Sequence, residues 1–469
     1  MTLELPRPAE RSWWLEEALA LPEFAGPEAP ALRGDTTADV VIVGGGYTGM
    51  WSAWFLKERQ PDIDVVLLEA DICGGGPSGR NGGFVNGLYE ELGILVERFG
   101  DEGRRACELA ARSIDEVGAW CATNGVDAEY TKVDHLVVST SPDQDQTMAE
   151  VLEEAEALGI GDVHRALPDT EVRSRFGSPV VRHGYAVTHA ALVHPARLAR
   201  GLRRALIERG VRIHERTHVV RLDARTATAE TPSGTVRAGR AVLGLNAWAA
   251  TRPEFRRDLM IRETSMLISA PAPLEDINWT GGEGVYDLRT ALHYPRPTRD
   301  GRIAFGGTSL LTAARRADDP RYRFDAGSVA KLVRDFRRWF PQFDAMPLEA
   351  AWSGPIDVSG LHFPFFGTLP GGRAHYALGF TGNGVGPCHL GGKILSGLAI
   401  DVQDEATTLP LVDAERKRFP PEPLFTLGER LVSAAMRRRD RRLDAGRSPG
   451  WLTDALAHLP RTLGFNLGP

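Results

Sequence analysis

Three glycines near the N-terminus stand at a spacing that can hold a phosphate group. Gly44, Gly46 and Gly49 follow the apolar, β-branched run 40–43, and a helix-compatible segment comes after them. The first glycine permits a tight turn, the second bares the backbone to a pyrophosphate, and the third lets helix and strand pack closely. Phosphates would meet N–H groups at the positive end of the helix dipole. The order of strand, turn and helix favours dinucleotide binding.

The next predicted strand, "DVVLLEA", ends in an acid that suits the same ligand. Glu69 lies 20 residues beyond Gly49, where a carboxylate can accept hydrogen bonds from ribose hydroxyls. A carboxylate there repels a 2′-phosphate, which disfavours NADP. The alternative is a glycine-rich turn in another kind of α/β protein.

The same stretch is uncharged for seventeen residues, from Val40 to Leu56, so a membrane span must also be considered. A span needs about 20 apolar residues, and consecutive glycines in its middle would cost about 1 kcal/mol each in a helix. The stretch is therefore expected to form two elements joined by a turn.

Composition indicates an ordinary globular protein. The 469 residues are 42% hydrophobic and 25% charged, with a formal net charge of −7, which gives no reason to expect a nucleic acid or an anionic membrane as partner. The four cysteines show neither a C-x-x-C pair nor metal-ligand spacing, so no metal site is expected. The N-terminus shows no apolar signal region, and a cytoplasmic protein is expected.

Segments 36–70, 195–248 and 374–401 each read as strand and helix, and they favour one sheet interrupted by insertions rich in antiparallel strands. Residues 1–33 are Pro-rich and predict an extended arm.

Other elements are predicted outside these segments or within them. Helices are expected over 101–123 and 142–158, and Asp300-Gly301 predicts a hairpin turn. The segment 234–245 predicts an outer strand, a turn and a buried strand. The basic run in 434–447 is expected to be a solvated helix face.

Several motifs together resemble a known family. "GGGYTG", "SGRNGGFVNG", "HPARLARGL", the strand before "NAW", "AWSGPIDVSGLHFPFFG" and "GFTGNGVGPCHLGGKI" occur in the order seen in the FAD-dependent amine and amino-acid oxidases, the DAO family. Within that family the chain looks most like the γ-glutamylputrescine oxidase branch. The resemblance covers about residues 36–400.

The resemblance implies an α/β fold, in which an FAD-binding Rossmann-like domain of the glutathione-reductase type carries an inserted, mainly antiparallel-sheet substrate domain. The implied parts are an N-terminal arm (1–33), the FAD-binding domain (34–90, 190–255 and 345–404), the substrate-binding domain (91–189 and 256–344) and a C-terminal helical tail (405–469).

The same resemblance implies a set of FAD-binding residues. It places Gly44, Gly46, Tyr47, Thr48 and Gly49 at the pyrophosphate, Glu69 at the ribose, Ser78, Arg80, Asn81, Gly82 and Gly83 along the pyrophosphate and flavin, Val219 at the adenine, Asn246, Ala247 and Trp248 beside the pyrophosphate, and Gly382, Asn383, Gly384 and Val385 at the flavin pyrimidine, with Ala70 and Gly354 also at the cofactor.

Two positions depart from the pattern of relatives. Many relatives carry His between the glycines of the last motif, where this chain has Asn383. Some relatives attach FAD through a Cys before this motif, but "GPIDVSGLHFPFFG" contains none, so FAD is expected to bind non-covalently.

The implied reaction oxidises the C–N bond of a small amine or amino acid to an imine by hydride transfer to flavin N5, with O₂ as acceptor and H₂O₂ as product. His293, Tyr294, Arg296 and Asn383 are the candidate catalytic residues, with Phe365 and Phe366 as an apolar wall. Each of the strand residues could instead serve ordinary packing. Arg80 could bind a substrate carboxylate, or it could make a structural or pyrophosphate contact.

Three other functions remain open at this point. The chain could be an FAD dehydrogenase or flavin subunit that passes electrons to a partner, an oxidase of an aminophosphonate or another acidic amine, or a non-catalytic nucleotide-binding module.

We expect the purified protein to be yellow and to contain one FAD per chain, because both ends of the FAD pattern are present. Acid precipitation should release the flavin into the supernatant, as measured by its absorbance. A yellow pellet would contradict non-covalent binding.

Overall fold

The computed structural model describes residues 5–308, 316–444 and 447–466. Its strands are β1 (Arg7–Pro8), β2 (Thr36–Val43), β3 (Val65–Leu68), β4 (Phe84–Asn86), β5 (Thr131–Lys132), β6 (His135–Val138), β7 (His164–Ala166), β8 (Gly184–Val187), β9 (Ala190–Leu192), β10 (Arg212–His214), β11 (Arg221–Asp223), β12 (Thr228–Thr231), β13 (Gly234–Leu243), β14 (Leu259–Pro271), β15 (Val285–Asp287), β16 (His293–Pro297), β17 (Arg302–Thr308), β18 (Leu348–Ser359), β19 (Phe365–Thr368) and β20 (Ala374–Leu378).

Its helices are α1 (Trp13–Ala20), α2 (Pro22–Ala25), α3 (Tyr47–Arg59), α4 (Leu92–Phe99), α5 (Asp101–Thr123), α6 (Pro142–Ala157), α7 (Asp169–Arg175), α8 (Pro195–Glu208), α9 (Ala326–Trp339), α10 (Val385–Ala399), α11 (Leu424–Asp444) and α12 (Trp451–Thr462). No helix in the described ranges has the length and apolar character needed to cross a membrane.

The larger sheet joins the three separated segments, as the sequence predicts. It runs β10-β3-β2-β13-β12-β11, and β20 pairs with both β13 and β19. β2 is parallel to β3 and to β13, and β13 is parallel to β20. The four apolar residues at the end of β2 are buried, as expected for a central parallel strand.

The turn predicted inside 234–245 is wrong, because β13 is one continuous strand. Its first residues pair with β12, and its last three pair with β20. Only the last part is buried on both faces. The change from partial to full burial along β13 therefore comes from a change of neighbouring strand. In the sequence, this change of hydrophobic pattern looks like a break between two strands.

A second sheet of five strands has the order β1-β18-β14-β17-β16. β14 is antiparallel to β18 and β17, and β16 and β17 form the predicted hairpin, in which Gly301 takes a φ of +81°. Smaller sheets contain β15-β6-β8-β7 and β4-β9-β5. The α/β fold class with two main sheets is confirmed. The domain boundaries stay a prediction; β18, which lies inside the segment 345–404, belongs to this second sheet.

The prediction of an extended N-terminal arm is wrong for part of its length. Residues 13–25 form α1 and α2, and Ser12 begins α1 by accepting a hydrogen bond from the Leu15 N–H at 3.0 Å. A serine cap is a strong helix start signal, and it outweighs the Pro-rich composition around it. Residues 26–35 are irregular.

The C-terminal segment forms two helices that pack on each other. Val432, Ala435 and Met436 of α11 are buried together with Ala457 of α12 and Ala291. Within the basic run, Arg439 pairs with Asp143 of α6 and with Asp454 of α12. The helices predicted over 101–123 and 142–158 also agree with α5 and α6.

A buried ion cluster fastens the N-terminal segment to the larger sheet. Glu215, which follows β10, accepts hydrogen bonds from Arg200 and Arg203 of α8 and from the Cys73 N–H. The two arginines also donate to the carbonyls of residues 24, 25 and 27. Burial alone would raise the pKa of Glu215, but the bonds from Arg203 and Cys73 hold it below its usual value.

We expect Glu215→Gln to lower the free energy of unfolding by about 3 kcal/mol or more, because it leaves buried guanidinium charge uncompensated. The measurement is urea unfolding at neutral pH, where the wild-type carboxylate is ionised; its stabilising contribution is lost as the pH falls through its folded-state pKa. Glu230→Gln, which breaks the exposed pair with Arg221, is the matched control and should change little. Equal effects of the two variants would contradict this role of Glu215.

Candidate active site

A cavity of about 1370 Å³ lies between the two main sheets and the C-terminal helices. Ten of the residues predicted to form the site line it: Tyr47, Ser78, Asn81, Gly82, Asn246, Tyr294, Gly382, Asn383, Gly384 and Val385. The structure thus brings the loop after β3, the loop after β13 and the turn after β20 to one space. Such a cavity is large enough for a cofactor together with a small substrate.

The glycines of the first motif have different steric roles. A Cβ on Gly44 would lie 2.3 Å from the Gly244 carbonyl oxygen, and one on Gly49 would lie 2.0 Å from the Gly44 carbonyl oxygen. These two glycines allow close backbone packing, and Gly44 also takes a φ of +110°. A Cβ on Gly46 would meet only Ser78 Oγ, at 3.1 Å. Gly46 therefore presents bare backbone, as a bound pyrophosphate requires.

Two helices begin at the predicted cofactor loops. α3 follows Gly46 and α10 follows Gly384, and in neither does the residue before the helix supply a side-chain cap. The Tyr47 N–H donates to Ser78 Oγ at 2.8 Å, which joins the start of α3 to the loop after β3. Both helix N-termini can therefore stabilise negative charge on a ligand.

Glu69 lies next to the first motif, at the end of β3. One of its carboxylate oxygens accepts from the Gly45 N–H at 2.7 Å, and the other accepts from the Asp71 N–H at 2.8 Å. These bonds fix the direction of the carboxylate, which is half-buried and retains lone pairs for a further donor.

The loop 78–83 is held by its own side chains. Asn81 Nδ2 donates to the carbonyls of Pro77 and Ser78, and its Oδ1 accepts from the Gly83 N–H. Arg80 donates to the carbonyls of Gly75, Ser353 and Glu10 and does not line the cavity. Burial lowers the pKa of Arg80 to about 10. The geometry therefore gives Arg80 structural contacts.

Asp357 of β18 joins two loops that reach the cavity. Its Oδ1 accepts from Asn246 Nδ2 at 2.8 Å, its Oδ2 accepts from the Gly379 N–H at 2.5 Å, and its carbonyl accepts from the Thr381 N–H. The residue is fully buried, and burial raises the pKa of its carboxyl to about 6.

Among the four candidate catalytic residues, Tyr294 and Asn383 reach the cavity. Tyr294 lies across β17, where a Cβ on Gly306 would overlap its ring, and its hydroxyl bonds Thr264 Oγ1. Burial raises the pKa of Tyr294 to about 12, so it stays neutral at physiological pH. Asn383 Nδ2 donates to the Gly87 carbonyl at 2.9 Å, which ties the turn after β20 to the end of β4.

His293 and Arg296 do not reach the cavity, contrary to the prediction that they contact substrate. His293 is buried between Asp287 and Asp335, with ring-nitrogen distances of 2.9 and 3.0 Å. Arg296 donates to the carbonyls of Val193 and Gly82. Successive strand residues face opposite sides of a sheet, so His293 and Tyr294 cannot both face the cavity. Arg296 lies two residues from Tyr294 on the same strand, and its bonds to the two carbonyls place its guanidinium against the loop 78–83.

Phe365 and Phe366 are also outside the cavity, because both are packed in the cores beside the larger sheet. Trp248 is 39% exposed, Ala247 is buried, and Gly354 lies against the side chain of Arg80. The other predicted cofactor residues outside the cavity lining are Gly44, Gly46, Thr48, Gly49, Glu69, Ala70, Gly83 and Val219.

Comparisons with known proteins decide the family. A model of the family described as DAO, FAD dependent oxidoreductase, matches residues 39–398. The chain belongs to the DAO family. It is therefore an FAD-dependent oxidoreductase with the predicted α/β fold.

Two relatives agree with this membership, and a solved structure shares the fold. The chain is 29% identical to a probable oxidoreductase, OrdL, of Rhizobium meliloti, over 93% of this chain and 97% of the relative. It is 28% identical to gamma-glutamylputrescine oxidoreductase of Escherichia coli, over 78% of this chain and 84% of the relative. The structure of glycine oxidase from Geobacillus kaustophilus covers 82% of this chain and 100% of that chain, with a TM-score of 0.67 and 20% identity.

Sequence reasoning missed several residues of this DAO-family cavity. Arg262 and Thr264 of β14 and Ile356 of β18 form part of its sheet wall, and Glu90 accepts from the Tyr286 hydroxyl at another side. The alternation of side-chain direction along β14 and β18 shows which residues of each strand share a face. It does not show which of the two faces meets the loops. Residues of α11 and α12 also line the cavity, although they lie beyond the matched segment.

We expect Glu69→Ala to weaken FAD binding by about 1.5–3 kcal/mol, because a charge-assisted hydrogen bond to ribose is lost. The measurement is the FAD dissociation constant of the apoprotein, by flavin fluorescence. Glu69→Gln, which keeps one acceptor oxygen, should show a smaller loss. An unchanged dissociation constant in Glu69→Ala would remove Glu69 from the site.

Proposed function

We propose that the protein oxidises the C–N bond of a small amine or amino acid to an imine, with O₂ as the electron acceptor. The proposal is carried by one observation: the turn 382–385 and one face of the five-stranded sheet, which presents both polar and apolar side chains, line the same cavity. The E. coli relative named for gamma-glutamylputrescine supports an amine as the reductant.

The residues fit FAD in the following arrangement. Gly46 and the N-terminus of α3 would hold the pyrophosphate, and Glu69 would hold the ribose with Val219 near the adenine. Asn246 and the loop 78–83 would lie along the middle of the cofactor. The bare backbone at Gly382 and Gly384, together with the N-terminus of α10, would face the flavin pyrimidine and stabilise negative charge there.

Two buried thiols near these loops support non-covalent binding. Cys388 of α10 lines the cavity and accepts a hydrogen bond from Thr48 Oγ1 at 3.2 Å, and burial raises its pKa to about 12. Burial also raises the pKa of Cys73 well above its usual value. Both thiols therefore stay protonated and weakly nucleophilic at neutral pH.

Bound FAD would supply the acceptor for the hydride that leaves the substrate α-carbon and the route by which the two electrons reach the final acceptor. The protein must hold that carbon beside the flavin with the amine nitrogen neutral. Ile356 and Val358 offer apolar contact, while the hydroxyls of Thr264 and Tyr294 offer polar contact in the same wall. No residue has to act as a nucleophile in this reaction.

The electron acceptor separates oxidase from dehydrogenase. Oxygen consumption and peroxide release by the isolated protein, with substrate present, identify an oxidase. Flavin reduction without oxygen consumption identifies a dehydrogenase or a flavin subunit that serves a partner. The cytoplasmic location stays a prediction.

We expect anaerobic reduction of the flavin by an amine to become faster as the pH rises, until a plateau is reached. An ammonium has no lone pair to assist hydride departure, and an alkyl amine with a pKa near about 10 is mostly protonated at pH 7. Stopped-flow absorbance measures the rate, and deuterium at the α-carbon should slow it. If a broad amine panel leaves the flavin oxidised while a hydroxy acid or NADH bleaches it, the amine proposal is wrong.

A further inference from the structure

His293 of β16 is a buried histidine held between two carboxylates. Its Nδ1 lies 2.9 Å from Asp287 Oδ2, and its Nε2 lies 3.0 Å from Asp335 Oδ2. The side chains of His293 and Asp287 are 1% and 0% exposed. Phe305 and Trp339 pack against the imidazole, with ring centroids 5.6 and 5.8 Å away. Both ring nitrogens therefore face a carboxylate, in surroundings that are otherwise aromatic.

The two carboxylates belong to different sides of the molecule. Asp287 ends β15 and lines the cavity together with Arg289, whose N–H donates to Asp287 Oδ1 at 3.5 Å. Asp335 of α9 lies outside the cavity lining; its side chain is 16% exposed, and its Oδ2 also accepts from Lys331 Nζ at 2.6 Å. The Lys331 side chain is 55% exposed. A continuous chain of hydrogen-bonding groups thus runs from the cavity wall through His293 to the outer surface.

The charges around this imidazole come from two elements in the described part of the chain. β15 contributes Asp287, and α9 contributes Asp335 with Lys331 behind it. β17 meets the ring with Phe305 and with Gly307, where an added Cβ would lie 3.6 Å from the ring. Neither residue of β17 carries a charge, so the two carboxylates control where a proton on the ring can go.

Asp335 is suited to pass a proton on and not to keep it. Burial alone would raise the pKa of Asp335, but the hydrogen bonds and positive charges of His293 and Lys331 hold it well below its usual value. A proton that reaches Asp335 is therefore released to water. Asp335 is the link in this chain at which water can take part.

The proposed amine oxidation moves one proton out of the cavity and one proton back in each turnover. An alkyl amine with a pKa of about 10 enters mostly as the ammonium at pH 7, and it must lose a proton before the hydride can leave. Reduction of O₂ to H₂O₂ later takes up a proton. An imidazole can carry both protons without moving, because a proton that binds one nitrogen allows the proton on the other nitrogen to leave.

We propose that Asp287, His293 and Asp335 form a proton relay between the cavity and the surface. This inference rests on the proposed amine oxidation, for which it supplies the route of the proton. Asp287 is the member that meets the substrate. His293 and Asp335 act through Asp287 and touch neither substrate nor cofactor.

The outward transfer begins at the ammonium, where an N–H bond breaks as an O–H bond forms on Asp287. That proton passes to His293 Nδ1, while the proton on Nε2 passes to Asp335 and then to water. The inward transfer reverses these steps, supplies the proton for H₂O₂ and restores the first tautomer of the ring. Over one turnover, R₂CH–NH₃⁺ and O₂ give R₂C=NH₂⁺ and H₂O₂, and the relay is unchanged.

The first experiment breaks the relay at Asp335, on the side away from the cavity. Stopped-flow absorbance follows anaerobic flavin reduction by an amine, and a pH-indicator dye follows proton release in weak buffer. At pH 7, Asp335→Asn should slow both by about 10-fold or more, because an amide cannot take up the proton. Asp335→Glu, which keeps a carboxylate, should recover most of the rate. Asp344→Asn removes an exposed carboxylate, 77% accessible, and should change neither signal.

The pH profile separates a relay from a purely structural role. Near pH 10 the substrate enters as the neutral amine, so the relay is no longer needed for reduction, and the deficit of Asp335→Asn should disappear. A deficit of the same size at pH 7 and near pH 10 would overturn the proposal. Wild-type rates of reduction and proton release in Asp335→Asn at pH 7 would do the same.

Chemical rescue tests the same position with a truncated side chain. In Asp335→Ala, added formate should restore the rate of reduction at pH 7 in proportion to its concentration, since it supplies a small carboxylate next to His293. Formamide should not restore it, and neither compound should affect the wild type. Equal effects of formate and formamide would count against the relay.

A substrate-free measurement separates failure of the relay from failure of the proposed function. If no amine in a broad panel reduces the flavin, amine oxidation is wrong, and the relay can still be tested. The photoreduced holoenzyme is mixed anaerobically with ferricyanide, which takes electrons only, so that the flavin must give up its proton to solvent. Release of this proton should be slower by about 10-fold or more in Asp335→Asn than in the wild type. Equal release in the two proteins would overturn the relay.

Discussion

The buried carboxylate of Asp357 joins the loop after β13 and the turn after β20 to the five-stranded sheet. It bonds the side chain of Asn246 after β13 and the backbone of the turn after β20, while its own strand, β18, runs through the five-stranded sheet. Ile356, the preceding residue, faces the cavity. One side chain thus links the turn to the sheet wall of the cavity, and burial raises the pKa of its carboxyl, an effect that the donated hydrogen bonds partly offset.

Buried and half-buried arginines also hold segments of the fold together. Arg80 and Arg296 donate to backbone carbonyls around the loop 78–83, and the Arg200 and Arg203 pair binds Glu215 and the N-terminal segment. A guanidinium suits this work because it offers several donors in one plane. Against this background Arg262 is unusual, since it lines the cavity and the described protein supplies no acceptor for its donors.

Local signals predicted the larger sheet and its glycine loops, because the roles of Gly44, Gly46 and Gly49 follow from spacing within one turn. The directions of the hairpin side chains were harder to predict. Sequence shows that His293 and Tyr294 are adjacent, but the pairing of β16 with β17 decides that Tyr294 faces the cavity. The start of α1 at Ser12 was obscured by Pro-rich composition. Arg262 could not be found from the sequence, because an arginine without a partner is a property of three-dimensional neighbours.

Residues of α11 and α12 line one side of the cavity, and both helices begin after residue 398, where the family match ends. The predicted cofactor loops and the two helices that line the cavity are therefore separate stretches of one chain. A substitution in α11 or α12 can therefore change one wall of the cavity while every predicted cofactor loop keeps its sequence. In this architecture, one wall of the cavity and the predicted cofactor loops belong to segments of the chain that can vary in sequence separately.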